Sequence, residues 1–369
     1  MDFEYSEEQQ QLAESVRRFA QKAYDFEARK KIVHSKEGWS SDAWATFAEM
    51  GLLGIPVADE HGGFGGGAID LMGVMEIFGE ALVVEPYLAT LLGVRIVARS
   101  GSAAQQQAIL PAVVEGRTRL ALAQTEAGAR YDLGAVSARA AKSGDGWEIS
   151  GEKLVVLGAP MADVLVVTAM TKAGISAFLV PRDAGGVTLK AYRTLDGMRA
   201  ADVVLDKVKV RADALVGADG GALPAIEEAV DFATALVCAE AVGAMKYACE
   251  ATLEYLKTRK QFGVPIGTFQ ALQHRMVDMT IATEQARSMA CLACSKVDAG
   301  GDARERAHAV SAAKIRVADA CRQVSQEAVQ LHGGMGMTEE MKVSHTFRRL
   351  TMIAQQFGDA DHHLARFAA

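Results

Sequence analysis

Few residues in this chain sit at spacings that chemistry recognises. Cys291 and Cys294 form a Cys-x-x-Cys pair, the spacing of thiol exchange and of half a zinc site. No second pair and no nearby His completes a metal set, and all five cysteines (Cys238, Cys249, Cys291, Cys294, Cys321) fall in Ala-rich stretches that read as helix. They read as small buried hydrophobes in a reducing compartment. His362 and His363 adjoin Asp359 and Asp361 without a ligand spacing, so no metal is expected. Two interruptions, Arg259–Gly267 and His332–Gly336, are better placed for chemistry. There glycine exposes backbone N–H groups near helix ends, which suits an anion. A third glycine run, His61 to Gly67, permits positive φ and close backbone approach. No buried strand precedes it, and its spacing is neither that of a P-loop nor that of a dinucleotide fingerprint.

The elements that must carry these residues follow from periodicity. Ser6 with Gln9 predicts a capping box, after which Leu12, Val16 and Phe19 recur on one helical face. Further helices are expected from Ser41 to a stop at Gly51, and over Ile69–Leu82, Pro86–Arg99 and Ala103–Glu115. Beyond Gly116 the chain turns to short β-branched segments punctuated by glycine: Leu120–Ala123, Ala135–Ala141, Trp147–Ile149, Val164–Ala169, Ala177–Val180, Val187–Leu189 and Val203–Val210. With no helices between them a doubly wound sheet is excluded, and a barrel or sandwich is expected. From Leu223 the helical pattern returns in four long stretches, Leu223–Lys257, Phe269–Ala299, Ala303–Leu331 and Glu339–Ala368. The expected architecture is α+β and multidomain: an N-terminal helical domain (residues 1–116), a central β domain (117–215) and a C-terminal four-helix bundle (216–369). The length and high Ala content of the bundle helices suit assembly with another chain.

Composition narrows the function classes. The 369 residues are 50% hydrophobic and 23% charged, as in a globular enzyme and unlike a disordered chain. A net charge of −7 with no basic run argues against a nucleic-acid partner. No uninterrupted apolar stretch reaches the roughly 18 to 20 residues of a membrane helix, and the start, Met1 to Gln11, is acidic and polar. No membrane insertion and no targeting are expected, which places the protein in the cytoplasm.

Motifs in the same order across nearly the whole chain resemble the acyl-CoA dehydrogenase superfamily. Gly51-Leu-Leu-Gly-Ile-Pro through His61-Gly-Gly-Phe-Gly is similar to its N-terminal stretch, Ala123 to Asp132 to "A-x-TEPGAGSD", and Ile149-Ser-Gly-Glu-Lys-Leu154 to "(L/I)NGxK". Arg259-Lys-Gln-Phe-Gly263, Phe269-Gln270 and Gln330-Leu-His-Gly-Gly334 are similar to "R-x-x-FG", "FQ" and "Q-x-x-GG". More narrowly, Cys238–Gly243, Tyr255–Arg259 and Phe357–Arg366 resemble the small subunit of pimeloyl-CoA dehydrogenase and the partner subunits of heteromeric steroid-degrading acyl-CoA dehydrogenases. The resemblance implies an FAD enzyme that removes the α-proton and β-hydride of an acyl-CoA to leave a trans-2-enoyl-CoA, with electrons passing to an electron-transferring flavoprotein. It implies FAD contacts at Thr125, Arg259, Phe262, Gln270, Gln330, Gly333 and Gly334, those from Arg259 onward reaching the FAD of a neighbouring subunit. The neighbour is either a related large subunit in an α2β2 assembly or a second copy.

The sequence departs from the family where the chemistry is done. The usual glutamate base falls at Phe357, and the alternative base position falls at Ala233, with a nearby family Arg at Thr234. The Trp and Thr that cover and hydrogen-bond the flavin ring fall at Val155 and Leu157, and a Ser falls at Tyr131. What the resemblance preserves at Phe357 is the backbone N–H, which in the family holds the thioester oxygen. Two carboxylates are candidate replacement bases. Asp231 lies two residues before Ala233, and Glu240 lies seven after it, about two turns along the same face. Glu240 sits in the small, apolar run Val237–Gly243, where desolvation favours a useful base. Besides a subunit of a heteromer, the sequence leaves open a self-sufficient homo-oligomeric flavoenzyme and a non-catalytic assembly subunit.

Overall fold

The computed structural model describes residues 6–369. Six helices come first, α1 (Glu7–Ala23), α2 (Phe26–His34), α3 (Ser41–Glu49), α4 (Ala68–Ala81), α5 (Tyr87–Ser100) and α6 (Ala103–Val114). Eight strands follow: β1 (Leu120–Ala123), β2 (Arg139–Ser143), β3 (Gly146–Leu157), β4 (Val164–Met170), β5 (Ile175–Pro181), β6 (Val187–Arg193), β7 (Arg199–Arg211) and β8 (Leu215–Val216). The rest is α7 (Leu223–Thr258), the hairpin of β9 (Lys260–Gln261) and β10 (Val264–Pro265), α8 (Gln270–Asp298), α9 (Ala303–His332), α10 (Lys342–Gln355) and α11 (Ala360–Ala368).

The helix starts are encoded locally. Ser6 and Gln9 close the expected capping box on α1, and Ser102 with Gln105 closes another on α6. Two differences from the sequence pattern stand out. The α2 helix was not expected, because its short run Phe26–His34 carries three cations and little apolar periodicity. The stretch Glu339–Ala368 is two helices rather than one, broken at Gln356–Asp359.

Contacts divide the chain into two units. One contains residues up to Lys31, Gly67–Val83 and Thr234–Ala369; the other contains Ile32–Gly66 and Val84–Ala233. In the first, α4 crosses α7 at two glycines. A β-carbon on Gly243 would overlap the carbonyl oxygen of Glu76, and one on Gly79 would overlap that of Glu240. Backbone therefore packs directly on backbone. The start of α4 is held by Asp298 at the end of α8, whose two carboxylate oxygens accept the Ala68 and Ile69 N–H groups at 2.8 and 2.9 Å. An acidic side chain there satisfies two orphan donors and complements the helix dipole. By length and composition α7 could cross a membrane, yet 89% of its apolar window is buried. It is the core helix of this unit.

In the second unit the strands make one mixed sheet in the order β6-β7-β3-β2-β4-β5-β8, with β1 pairing parallel to β4. Its core holds Trp147, Ile149, Leu165, Phe178 and Val203, with the Trp147 and Phe178 rings edge to face at 5.2 Å. A smaller core of Val94, Val97, Leu110, Val113 and Leu120 packs α5 and α6 beside β1. The long β3–β7 ladder slips register twice, the second time between Lys153 and Val156. Such a bulge turns consecutive side chains to new directions.

Candidate functional site

The expected cofactor residues beyond position 258 lie within the first unit and are brought to one place by the ends of three helices. The Tyr255 ring near the end of α7 stacks on His332 at the end of α9, with centroids 4.5 Å apart. The start of α8 is tied to the same end of α9 by Arg275 and Glu327, Nε to Oε2 at 2.5 Å. Arg259 follows α7, Gln270 opens α8, and Gln330 closes α9 ahead of Gly333 and Gly334. All five are exposed. Between them the β9–β10 hairpin presents Phe262 at φ 54° with 91% of its surface exposed, its ring edge to face with Phe269. Nothing lies within 4 Å of where a β-carbon would stand on Gly333 or Gly334, and Gly333 has φ 59°. Open backbone, one free guanidinium and an exposed aromatic pair suit a nucleotide with a diphosphate. These residues fit the adenine and diphosphate end of FAD.

Thr125 and the flavin-ring positions lie in the second unit. The Thr125 carbonyl accepts the Leu154 N–H at 2.8 Å, and beside this contact runs a buried polar network. Lys153, with no exposed side-chain surface, donates to Glu126 at 2.5 Å and to the Thr168 hydroxyl at 2.8 Å. Glu126 also accepts the Ser137 and Ala138 N–H groups. Burial would push the Glu126 carboxyl up, but the hydrogen bonds from Lys153 and Ser137 hold it below its ordinary value. The bulge that buries Lys153 leaves Val155 at φ 51° and 49% exposed. A β-branched residue at positive φ is strained, and the resemblance gives this position to a Trp that covers the flavin ring. Val155 and Leu157 offer no side-chain hydrogen bond, so these positions of the second unit fit a flavin ring less fully.

Neither candidate base stands on the surface. Asp231 is 1% exposed on the part of α7 that belongs to the second unit. Glu240 is clasped by Arg349 of α10, whose Nε donates to one carboxylate oxygen at 2.6 Å and Nη2 to the other at 2.7 Å. Both side chains are nearly fully buried. A bidentate pair of this kind occupies both basic oxygens. Phe357 lies in the break between α10 and α11 at φ 60°, and the acid of that break, Asp359, caps α11 by accepting the His362 N–H.

The sequence reading missed Arg349, Lys314, Lys153 and Glu126 as site-forming residues. Lys314 had a legible signal. It falls on the stripe Val310, Val317 and Cys321 of α9, all fully buried, so helical spacing alone points its amine into the core. The five cysteines are all unpaired, and burial raises the thiols of Cys238 and Cys321 to about 12. They are packing residues.

The N-terminal, middle and C-terminal domain models of acyl-CoA dehydrogenase match residues 6–117, 121–208 and 221–368. A probable acyl-CoA dehydrogenase of Bacillus subtilis, YngJ, is 32% identical over 94% of this chain and 93% of its own. Among solved structures, a Tcur3481–Tcur3483 steroid ACAD variant superposes with a TM-score of 0.89 at 30% identity, covering 98% of this chain and 97% of that one. The ChsE4–ChsE5 complex from Mycobacterium tuberculosis gives 0.91 at 26% identity over 100% and 98%. The motifs, the three-part helix-sheet-helix order and these likenesses agree: the chain belongs to the acyl-CoA dehydrogenase family of FAD-dependent oxidoreductases.

Proposed function

We propose that this chain is one subunit of a heteromeric acyl-CoA dehydrogenase, in which it lends the adenine side of an FAD site to a related chain that carries the catalytic glutamate. The observation that carries this reading is the contrast between two sets of expected site residues. Arg259, Phe262, Gln270, Gln330, Gly333 and Gly334 form an exposed surface that suits a nucleotide, whereas the resemblance puts Phe357 at the usual base position and Val155 and Leu157 at those of the Trp that covers the flavin ring and the Thr that hydrogen-bonds it.

The reaction requires a base at the α-carbon and donors to the thioester oxygen as enolate character develops. FAD, when bound, takes up the β-hydride, and an electron-transferring flavoprotein is the proposed acceptor of those electrons. From this chain the Phe357 N–H is the proposed donor to the thioester oxygen, because a backbone donor survives the loss of the glutamate side chain. Glu240 supports α10 rather than acting as the base, since Arg349 holds both its oxygens; Asp231 is the remaining acid if the chain turns over alone. The apolar side chains left bare on this unit, Phe262 (91% exposed), Met337 (75%), Val277 (54%) and Ile281 (49%), support a neighbour that covers them. Among the similar structures, that of ChsE4–ChsE5 is a complex by its name, which supports the heteromeric form. A cytoplasmic location goes with this reading.

The test is a visible spectrum of the chain purified alone, before and after anaerobic addition of acyl-CoA. Bound flavin that does not bleach, or flavin retained only when a related glutamate-bearing chain is co-expressed, is the expected result. Stoichiometric bleaching of the isolated chain overturns the proposal.

A further inference from the structure

The break between α10 and α11 is fixed from one side by buried donors that neither the cofactor surface nor the Glu240–Arg349 pair uses. Lys314 of α9 is fully buried, and its amine donates to the carbonyl of Gly358 at 2.6 Å and to that of Ala354 at 3.2 Å. His363 of α11 is 1% exposed. Its Nε2 lies 3.1 Å from the carbonyl of Phe357 and its Nδ1 lies 3.2 Å from the Ser311 hydroxyl. A carbonyl only accepts, so Nε2 carries the proton and Nδ1 takes the hydroxyl's hydrogen. Burial, reinforced by the charges of Lys314, His362 and Arg366, pushes the imidazole down to about 3, consistent with this single neutral tautomer.

The carbonyls of Ala354, Phe357 and Gly358, at the end of α10 and in the break, are thus held by two buried side chains. A β-carbon on Gly358 would stand 2.6 Å from His363 Nε2, so only glycine admits the ring. The neighbouring N–H groups are also spoken for: Gln356 donates to Met352 and Ile353, Gly358 to Gln355, and His362 to the Asp359 carboxylate. The Phe357 N–H has no acceptor among the described residues, on a half-buried residue at φ 60°. A non-glycine residue at positive φ is strained and persists where its surroundings dictate it.

We infer that Lys314 and His363 are positioning residues that hold the Phe357 peptide so that its N–H stays free for a ligand carbonyl oxygen, which on the acyl-CoA reading above is that of the thioester. They touch neither substrate nor cofactor and act through the turn. Their removal therefore weakens binding only of ligands that possess that oxygen.

The experiment compares, by titration calorimetry on the flavin-loaded protein, a short, a medium and a long straight-chain acyl-CoA with the matched S-alkyl thioethers, which lack the carbonyl. One net hydrogen bond corresponds to about fivefold tighter binding of the thioester by wild type. Lys314→Met and His363→Leu are expected to bring that ratio close to one while thioether affinity is kept. His363→Gln, which retains an N–H near the Nε2 position, is expected to preserve the ratio and covers the case in which Lys314→Met does not fold. General damage to the fold lowers both affinities together and leaves the ratio unchanged. A wild-type ratio retained in both Lys314→Met and His363→Leu overturns the inference and leaves the acyl-CoA reading intact. Wild type binding none of the compounds overturns both.

Discussion

Replacing either Glu240 or Arg349 alone leaves a charge stranded in the core. The two side chains are 6% and 5% exposed and joined at 2.6 and 2.7 Å, so neither can turn to water without moving α10 from α7. Truncating one member of a buried pair costs about 3 to 5 kcal/mol, whereas exchanging both for apolar groups of like volume is often close to neutral. Glu240→Met and Arg349→Met should each destabilise by about that amount, and the double variant should cost less than the sum of the two by about 3 kcal/mol or more. Urea unfolding followed by circular dichroism measures the cycle. Additivity of the two single variants to within about 0.5 kcal/mol would refute a buried, coupled pair. The double variant also separates support from chemistry. Folded and assembled with a glutamate-bearing partner, it should retain turnover, whereas complete loss would make Glu240 the base.

Other perturbations read other parts of the structure. Arg259→Ala removes the exposed guanidinium of the nucleotide surface, and loss of a charge-assisted contact of about 1.5 to 3 kcal/mol should weaken FAD retention by roughly ten- to a hundredfold after dialysis; equal flavin content would exclude that contact. Gly243→Ala places a β-carbon on the Glu76 carbonyl and should destabilise by about 3 kcal/mol. Gly334→Ala, where nothing lies within 4 Å, should leave the unfolding midpoint unchanged while loosening FAD. The depressed His363 gives an acid-sensitivity with a definite sign. Its imidazole sits at about 3 in the fold against an ordinary 6.5, so the unfolded chain binds the proton more tightly. The associated stability is complete above about pH 6.5 and is lost as pH falls from there toward 3. His363→Gln should flatten that part of the stability profile, and an unchanged slope would exclude His363 as its source.

How far the sequence could be read depended on the range of the interaction. Caps and stops are local, so Ser6 with Gln9 and the glycine after α3 announced their helices. The β segments were legible by composition, but the parallel pairing of β1 with β4 was not, because register between strands some forty residues apart leaves no local mark. The break at Phe357 was hidden for a different reason. The flanking residues keep a helical period, and Gly358 alone signals a turn whose shape is imposed by Lys314 and His363. Glu240 was conspicuous as a lone acid in an apolar run; its partner lies 109 residues away. No spacing rule connects them. The gathering of Arg259, Gln270, Gln330, Gly333 and Gly334 at exposed helix ends could be reached from the motifs, because those motifs carry the residue types that a flexible phosphate ligand asks for.

The central claim is that this chain completes a neighbour's FAD site without supplying the base. The most direct measurement is turnover and flavin content of a co-purified complex in which only this chain carries Arg259→Ala, beside a complex in which only this chain carries Phe357→Glu. The account predicts that the first loses FAD and activity although the partner's glutamate is untouched, and that the second gains at most slight extra turnover. An Arg259→Ala complex with full flavin and full activity, or a Phe357→Glu complex with doubled activity, would contradict it.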